Sequence, residues 1–150
     1  MRALTFIVAL AVLSGCNEPG AREYGYGASP TTAVTDTLLS SDAPDYKVGK
    51  LITVRLTNRL ARPLGYNLCR SRLERQDGED QWVTIMQSLA QQCTAEIRTL
   101  RPREGVTFTF GPEGRIKPGQ YRVVTDIEDF PARTRFAAVS NTFRISRDGD

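Results

Sequence analysis

The chain has 150 residues and contains 20 lysines and arginines, 17 aspartates and glutamates, and no histidine. Without histidine it lacks the commonest general base, and the usual Ser-His-Asp and Cys-His catalytic arrangements are excluded. The net charge of +3 comes from scattered arginines interleaved with acids, whereas nucleic-acid binding requires basic residues clustered on one face. No glycine-rich phosphate-binding motif is present either. The sequence therefore predicts no cofactor, no nucleic-acid partner and no small-molecule substrate.

The first residues have the pattern of a secretory signal. Arg2 is followed by an apolar run from Ala3 to Leu13, which only Thr5 interrupts. A membrane-spanning helix needs about 20 apolar residues, whereas a basic start and a shorter run are typical of a cleaved signal peptide. We therefore expect residues 1–15 to be removed on export, which leaves 150 − 15 = 135 residues, enough for about one domain.

The end of this signal, Leu13-Ser14-Gly15-Cys16, resembles the lipobox of bacterial lipoproteins. The resemblance implies cleavage between Gly15 and Cys16, a diacylglyceryl group on the Cys16 sulfur, and an acyl chain such as palmitate on the new amino terminus. Stable anchoring takes more than one acyl chain, which this arrangement supplies. Asn17, in place of aspartate, implies the default route to the outer membrane. The alternatives are an ordinary cleaved signal with a chance cysteine, and a buried N-terminal helix.

Residues 16–30 are rich in glycine, proline and polar residues and show no apolar periodicity. This composition is typical of a flexible linker, so we expect a tether between the lipidated Cys16 and a folded domain. We assign that domain to residues 31–147 and a frayed tail to residues 148–150.

Two further cysteines, Cys69 and Cys93, form an even pair. In an oxidising compartment such a pair is expected to form a disulfide, and closing a loop of this length stabilises the folded state by roughly 3–4 kcal/mol. The alternative is two buried, reduced thiols. We expect a Cys69–Cys93 bridge that holds a central strand at Tyr66–Cys69.

Short strand-like segments separated by turn residues occupy the rest of the chain. In the clearest of them, Leu51–Asn58, the residues Ile52, Val54 and Leu56 alternate with polar residues, a period that places one face in the core. The other predicted strands are residues 31–36, 66–69 continuing through 73–75, 82–85, 95–100, 106–110, 122–127 and 139–146, with turns or connections at 45–50, 58–63, 76–80, 86–92, 101–105, 111–118 and 128–136. No segment of ten or more residues has helical periodicity. Seven or eight short strands predict an all-β sandwich or barrel.

Trp82 is the only tryptophan and begins one of the predicted strands. A tryptophan in a short β pattern usually packs in the core, so we expect it to fill the interior of the sandwich. The alternative is an anchor on a binding surface.

Two C-terminal motifs, Pro118-Gly119-x-Tyr121 and Val139–Phe143, resemble the last two strands of immunoglobulin-like and fibronectin-III-like domains of bacterial envelope proteins. The resemblance implies an immunoglobulin-like antiparallel β-sandwich. It also implies that Tyr121 forms a tyrosine corner, with its hydroxyl bonded to upstream backbone. No cysteine lies two residues after Tyr121, so Cys69–Cys93 is not the usual bridge between the sheets of antibody domains.

Carboxylate pairs can catalyse hydrolysis without histidine. The candidates are Glu79 with Asp80, and the group Asp126, Glu128 and Asp129. These acids lie in predicted turns or at a strand end, where solvated side chains are the simpler interpretation. The second group could gather a calcium ion, but its spacing matches no calcium-binding loop. We therefore predict no catalytic residue and no metal ligand.

Together these features predict a lipid-anchored protein of the bacterial cell envelope, whose non-catalytic domain binds another envelope protein or a glycan. The alternative is an inhibitor or chaperone-like partner of an exported enzyme, because a similar layout occurs in small proteinase-inhibitor domains. Residues 86–92 or 111–118 would then form the inserting loop. A third hypothesis is a carboxylate-dependent hydrolase.

Overall fold

The computed structural model describes residues 38–89, 93–112, 116–130, 132–147 and 149. These ranges contain ten β-strands and no helix, so none of them holds a helix long and apolar enough to cross a membrane. The strands are β1 (Leu39–Ser41), β2 (Asp45–Lys47), β3 (Ile52–Thr57), β4 (Leu64–Gln76), β5 (Trp82–Gln87), β6 (Arg98–Leu100), β7 (Gly105–Phe110), β8 (Gly119–Asp129), β9 (Thr134–Val139) and β10 (Phe143–Ser146). The predicted signal, tether and first strand at residues 31–36 lie outside the described residues.

The strands form two sheets. A three-stranded sheet has the order β1-β3-β7, and a seven-stranded sheet has the order β2-β10-β8-β4-β5, in which β6 also pairs with β4 and β9 with β8. Every pair is antiparallel except β2 with β10, which is parallel. The predicted all-β antiparallel sandwich is confirmed, with ten described strands instead of seven or eight.

The strand order is that of an immunoglobulin-like sandwich. In variable-type immunoglobulin domains, strands A, B and E share one sheet, and strands G, F, C and C′ share the other. Here β1, β3 and β7 form the first sheet, while β10, β8, β4 and β5 lie side by side in the second. β6 departs from this plan because it pairs with β4 instead of joining the three-stranded sheet.

The core consists of apolar side chains from both sheets. β3 shows the predicted alternation, since Ile52, Val54 and Leu56 have no exposed surface. Each such side chain contributes about 1.5–3 kcal/mol when it is fully buried. The buried apolar residues that pack together in this core are Leu38, Leu39, Tyr46, Ile52, Val54, Leu56, Leu64, Tyr66, Leu73, Leu89, Leu100, Phe110, Ile116, Tyr121, Val123, Ile127, Ala138, Phe143 and Ile145.

β4 is one continuous strand with a large bulge. Tyr66 pairs with Ile127 of β8 and Ser71 with Thr125, so residues 67–70 of β4 face a single residue of β8. The sequence predicts the continuity of this strand but contains no signal for the bulge, because the bulge exists only relative to β8. Cys69 lies within it.

The sequence predicts a polar connection at residues 128–136, and this prediction is wrong at both ends. β8 continues through Glu128 and Asp129, and β9 begins after a short turn. The acids remain in the strand because each has an arginine partner, Arg135 for Glu128 and Arg62 for Asp129. Pairing with arginines on β9 and in the connection between β3 and β4 therefore extends a strand that composition alone would end.

The predicted last strand, residues 139–146, is divided into two. β9 and β10 both run along β8, but their registers differ by one residue, and the offset falls at residues 140–142. Ser140 maintains the hydrogen bonding to β8 at this offset. Its backbone N–H donates to the Val123 carbonyl at 2.9 Å, and its Oγ accepts a hydrogen bond from the Val123 N–H at 2.9 Å.

Three shorter predictions also differ from the structure. Residues 45–47, predicted as part of a turn, form β2 because β10 offers them a parallel partner. Met86 and Gln87, predicted as part of a connection, belong to β5, since β4 extends far enough to pair with them. The predicted strand at residues 95–100 is shorter, because only residues 98–100 have partners on β4.

Candidate functional site

A disulfide joins Cys69 to Cys93, and their Cα atoms are 5.3 Å apart. It ties the bulge of β4 to the connection between β5 and β6. Asn67 braces the same junction, because its amide donates to the Thr94 carbonyl at 2.8 Å and its Oδ1 accepts from the Cys69 N–H at 2.8 Å. The bridge therefore joins β4 to the connection between two other strands of the same seven-stranded sheet, and it does not connect the two sheets.

The outer face of the seven-stranded sheet carries a group of charged and aromatic side chains that we call the outer-face cluster. Its members are Arg72, Glu74, Trp82, Arg122 and Asp126. Glu74 on β4 lies directly opposite Arg122 on β8. The preceding pair in this register, Leu73 with Val123, is buried in the core. Successive residues of a strand point to opposite faces, so the cluster lies on the side turned away from the core.

Glu74 is the centre of the outer-face cluster. One carboxylate oxygen accepts a hydrogen bond from Nε of Arg72 and the other from Nε of Arg122, both at 2.7 Å. Its side chain is only 8% exposed, and a carboxylate in such a position needs compensating charge and hydrogen bonds. Arg72 also lies 3.6 Å from Asp126, so two guanidinium groups balance two carboxylates. Each oxygen of Glu74 is thus already engaged by a donor.

Trp82 lies on this outer face, and the prediction that it fills the core is wrong. The guanidinium carbon of Arg122 is 4.1 Å from the centroid of the Trp82 ring, and the indole is half-buried. Trp82 pairs with Gln76, two residues along β4 from Glu74, which places it on the same face as Glu74. A cation over an indole at a partly exposed site contributes about 0.5–1 kcal/mol.

β5, which carries Trp82, forms one end of the seven-stranded sheet. Val83 and Ile85 on this strand are 44% and 39% exposed. The register shifts between Leu73 and Glu74 of β4, so Ile85 is left without a pairing partner there. The strand thus carries exposed apolar side chains, and Val83, which pairs with Arg75, points to the face opposite the outer-face cluster.

The acids proposed as a possible calcium site do not converge. Asp126 faces Arg72, Glu128 faces Arg135, and Asp129 faces Arg62. Among the described residues, no three histidine, cysteine, aspartate or glutamate side chains are close enough together to hold a metal ion. Each of the three acids has a structural arginine partner instead.

Asp129 makes the strongest of these pairs. Arg62 donates from Nε to Oδ1 and from Nη2 to Oδ2, both at 2.6 Å. These two hydrogen bonds hold the pKa of Asp129 below its usual value, although partial burial opposes the shift. Glu79 and Asp80, the other acidic pair in the sequence, are both exposed in the turn between β4 and β5.

Tyr121 is fully buried, and its hydroxyl donates to the backbone carbonyl of Lys117 at 2.5 Å. A hydrogen bond from a tyrosine to backbone a few residues upstream is the contact made by a tyrosine corner. Burial raises the pKa of Tyr121, and the nearby Arg75 opposes this shift. The contact closes the end of the loop that leads into β8.

Sequence reasoning missed Glu74, Arg72 and Arg122 as members of one site. The spacing Arg72-x-Glu74 places these two residues on one face of a strand, and this pattern can be recognised in the sequence. The contribution of Arg122 depends on the register between β4 and β8, which no local pattern contains. Gly15 and Cys16, the residues predicted for signal cleavage and lipidation, lie outside the described residues. The two predicted inserting loops are described only in part, and residues 86–87 of the first belong to β5.

No protein-family model matches the chain, and no curated protein is significantly similar to it. Among solved structures, the neutral ceramidase from Pseudomonas aeruginosa is similar with a TM-score of 0.43 and 12% identity, covering 71% of this chain and 18% of that chain. The ASH / PapD-like domain 7 of human CEP192 has a TM-score of 0.33 and 12% identity, covering 85% of this chain and 98% of that one. A β-glucosidase from Listeria innocua has a TM-score of 0.29 and 14% identity, covering 70% and 16%. The chain spans less than a fifth of the length of the two enzymes.

Proposed function

We propose that this protein is anchored by lipid on Cys16 in the bacterial cell envelope, at the outer membrane. In this proposal its immunoglobulin-like domain binds another envelope protein or a glycan without catalysing a reaction. The anchor is supported by the sequence Leu13-Ser14-Gly15-Cys16 and by Asn17 after it. The Cys69–Cys93 disulfide is consistent with a location outside the cytoplasm, because disulfides persist in oxidising compartments.

The proposed contact surface is the outer-face cluster, and the packing of Arg122 on Trp82 is the observation that carries this proposal. Tryptophan and arginine are among the residues most enriched at binding hot spots. Here the two side chains contact each other on a sheet, and Glu74 holds Arg122 through its Nε. A pair fixed in this way loses little conformational freedom on binding, which favours affinity.

The anchor is tested by replacing Cys16 with serine in the full chain and separating membranes from soluble extract. We expect the Cys16→Ser variant to move from the membrane fraction to the soluble fraction. A matched control, the double variant Cys69→Ser with Cys93→Ser, retains the lipobox cysteine and should stay with the membranes. If Cys16→Ser also remains with the membranes, lipid on that residue is not the anchor.

The contact surface is tested by placing a photo-crosslinking amino acid at Thr84 in the full chain and irradiating whole cells. Thr84 is exposed on β5 beside Trp82, and the matched control position, Thr107 on β7, is exposed on the other sheet. We expect an adduct between Thr84 and a molecule other than a second copy of this chain, which is absent at Thr107 and is lost when Trp82 is replaced with alanine. Equal adducts at both positions, or persistence in Trp82→Ala, would show that the outer-face cluster is not the contact surface.

A further inference from the structure

β5 is an end strand that lacks the usual protection against pairing with another chain. Among the described strands it pairs only with β4. None of its six residues is charged, and none is proline or glycine. Natural proteins commonly block exposed strand edges with charges, prolines or short strand length, and β5 has none of these.

A bulge in β5 brings apolar surface to this edge. Ile85 has no partner on β4 and is 39% exposed, and Val83 is 44% exposed. Bulges often protect an edge by bending it or by re-aiming a side chain. Here the side chain at the bulge is apolar, so the edge exposes a surface that becomes more stable when it is covered.

The other described strands that pair on one side only present a different surface, since β6 is three residues long and β9 carries Arg135. β1 and β2 are three residues long, and β2 carries Asp45 and Lys47. β7 is six residues long and uncharged, but its exposed side chains are Thr107 and Thr109. Among the end strands that the structure describes, β5 thus combines length, neutrality and exposed large apolar side chains.

The charges around β5 have opposite signs at its two ends. The turn before the strand carries exposed acids, including Glu79. At the other end, Gln87 lies opposite Arg72 of β4, and Arg70 lies two residues further along β4. When two copies of β5 run antiparallel, the acidic turn of each copy lies near the arginine end of the other, and two-fold symmetry makes this contact twice. A parallel alignment would instead bring like charges together.

We propose that β5 pairs antiparallel with β5 of a second copy about a two-fold axis, which joins two seven-stranded sheets into one continuous sheet. Backbone hydrogen bonds and the burial of Val83 and Ile85 supply the affinity, and the end charges select the antiparallel orientation. This inference is independent of the proposed function, since it requires neither the lipid anchor nor an envelope partner. Trp82 is not required for this pairing, because its side chain packs on Arg122 of β8, towards the interior of the sheet.

The first test measures the mass of the full chain in detergent by sedimentation at increasing concentration. We expect a dimer that Ile85→Lys weakens by at least roughly tenfold, because a buried lysine would face a like charge across the symmetry axis. The control Thr107→Lys places the same charge on the exposed face of β7 and should leave the dimer unchanged. Circular dichroism checks that both variants fold. A monomer at about 100 μM, or a dimer unaffected by Ile85→Lys, would overturn the proposal.

The second test addresses orientation by reversing the end charges. Glu79→Arg and Arg70→Glu should each weaken self-association by roughly tenfold, because every dimer then contains two repelling contacts. An equimolar mixture of the two variants should dimerise about as well as the unmodified chain, since opposite charges again meet at both ends. If the mixture associates no better than either variant alone, the antiparallel β5 pairing is wrong.

Discussion

Arg122 on β8 packs against Trp82 on β5 across the intervening strand β4, with its guanidinium carbon 4.1 Å from the centroid of the indole ring. The same arginine donates from Nε to Glu74 at 2.7 Å. A single side chain on β8 therefore links an aromatic residue on β5 to a carboxylate on β4. This linkage makes the outer-face cluster a rigid surface and not a set of independent exposed side chains.

Replacing Arg122 with alanine should reduce the free energy of unfolding by about 2 kcal/mol, because both the charged hydrogen bond to Glu74 and the cation–π contact are lost. The measurement is urea unfolding followed by circular dichroism. The matched control is Arg144→Ala, which removes an exposed arginine from β10 and should change stability by less than about 0.5 kcal/mol. Equal effects of the two substitutions would mean that the contacts of Arg122 with Glu74 and Trp82 contribute no more stability than those of an exposed arginine.

Removing the disulfide should have a larger effect. The double variant Cys69→Ser with Cys93→Ser opens a loop with a sequence separation of 24, and we expect a loss of about 3.5 kcal/mol, because the unfolded chain regains freedom. Urea unfolding with and without reductant measures this loss. The unmodified chain in reductant should have the same free energy of unfolding as the double variant. Reductant should not change the free energy of unfolding of the double variant. A loss below about 1 kcal/mol would contradict this prediction.

Ser140 should stabilise β8 at the point where the register changes between β9 and β10. In Ser140→Ala, the buried Val123 N–H loses its acceptor, which should cost about 1–3 kcal/mol. Amide hydrogen exchange provides a specific readout, because exchange at Val123 should accelerate more than exchange elsewhere in β8. The control Thr142→Ala changes an exposed residue of the same segment, and Ser140→Thr retains the hydroxyl. Unchanged exchange at Val123 in Ser140→Ala would show that the hydroxyl is not its acceptor.

The Arg62–Asp129 pair should contribute stability that depends on pH. Hydrogen bonds from Arg62 lower the pKa of Asp129 in the folded state. A lowered folded pKa gives stability that is present above the unfolded value of about 3.9 and is lost as the pH falls through the folded pKa. The unmodified chain should therefore be more stable than Asp129→Asn at pH 7, and this difference should disappear in strong acid.

Unfolding free energies measured between pH 7 and pH 2 test this expectation. Arg62 is about half exposed, so added salt should reduce the difference at pH 7 by screening the pair. The control Asp77→Asn removes a more exposed acid that lies 3.7 Å from Arg75, and it should give a smaller difference. A stability difference for Asp129→Asn that persists unchanged in strong acid would exclude ionisation of Asp129 as its cause.

Part of the fold follows from local patterns in the sequence. The alternation of Ile52, Val54 and Leu56 predicts β3, and the Asp77-Gly78 turn predicts the hairpin between β4 and β5, whose turn is closed by the Asp77 N–H on the Gln81 carbonyl at 2.8 Å. The even cysteine pair predicts the disulfide. These predictions hold because side-chain alternation, turn chemistry and cysteine pairing depend on neighbouring residues or on composition. The lipid anchor on Cys16 stays a prediction.

Only the tertiary structure decided which outward residues meet. Glu74 and Arg122 are 48 positions apart, and the register that joins them depends on the bulge at residues 67–70. The register between β4 and β5 places Trp82 on the outer face, and the arginine partners of Glu128 and Asp129 come from distant parts of the chain or from β9. Side chains of a strand alternate with a period of two whatever strand it pairs with, so the sequence by itself determined which residues share a face. The pairing of distant strands determined which charged side chains form ion pairs.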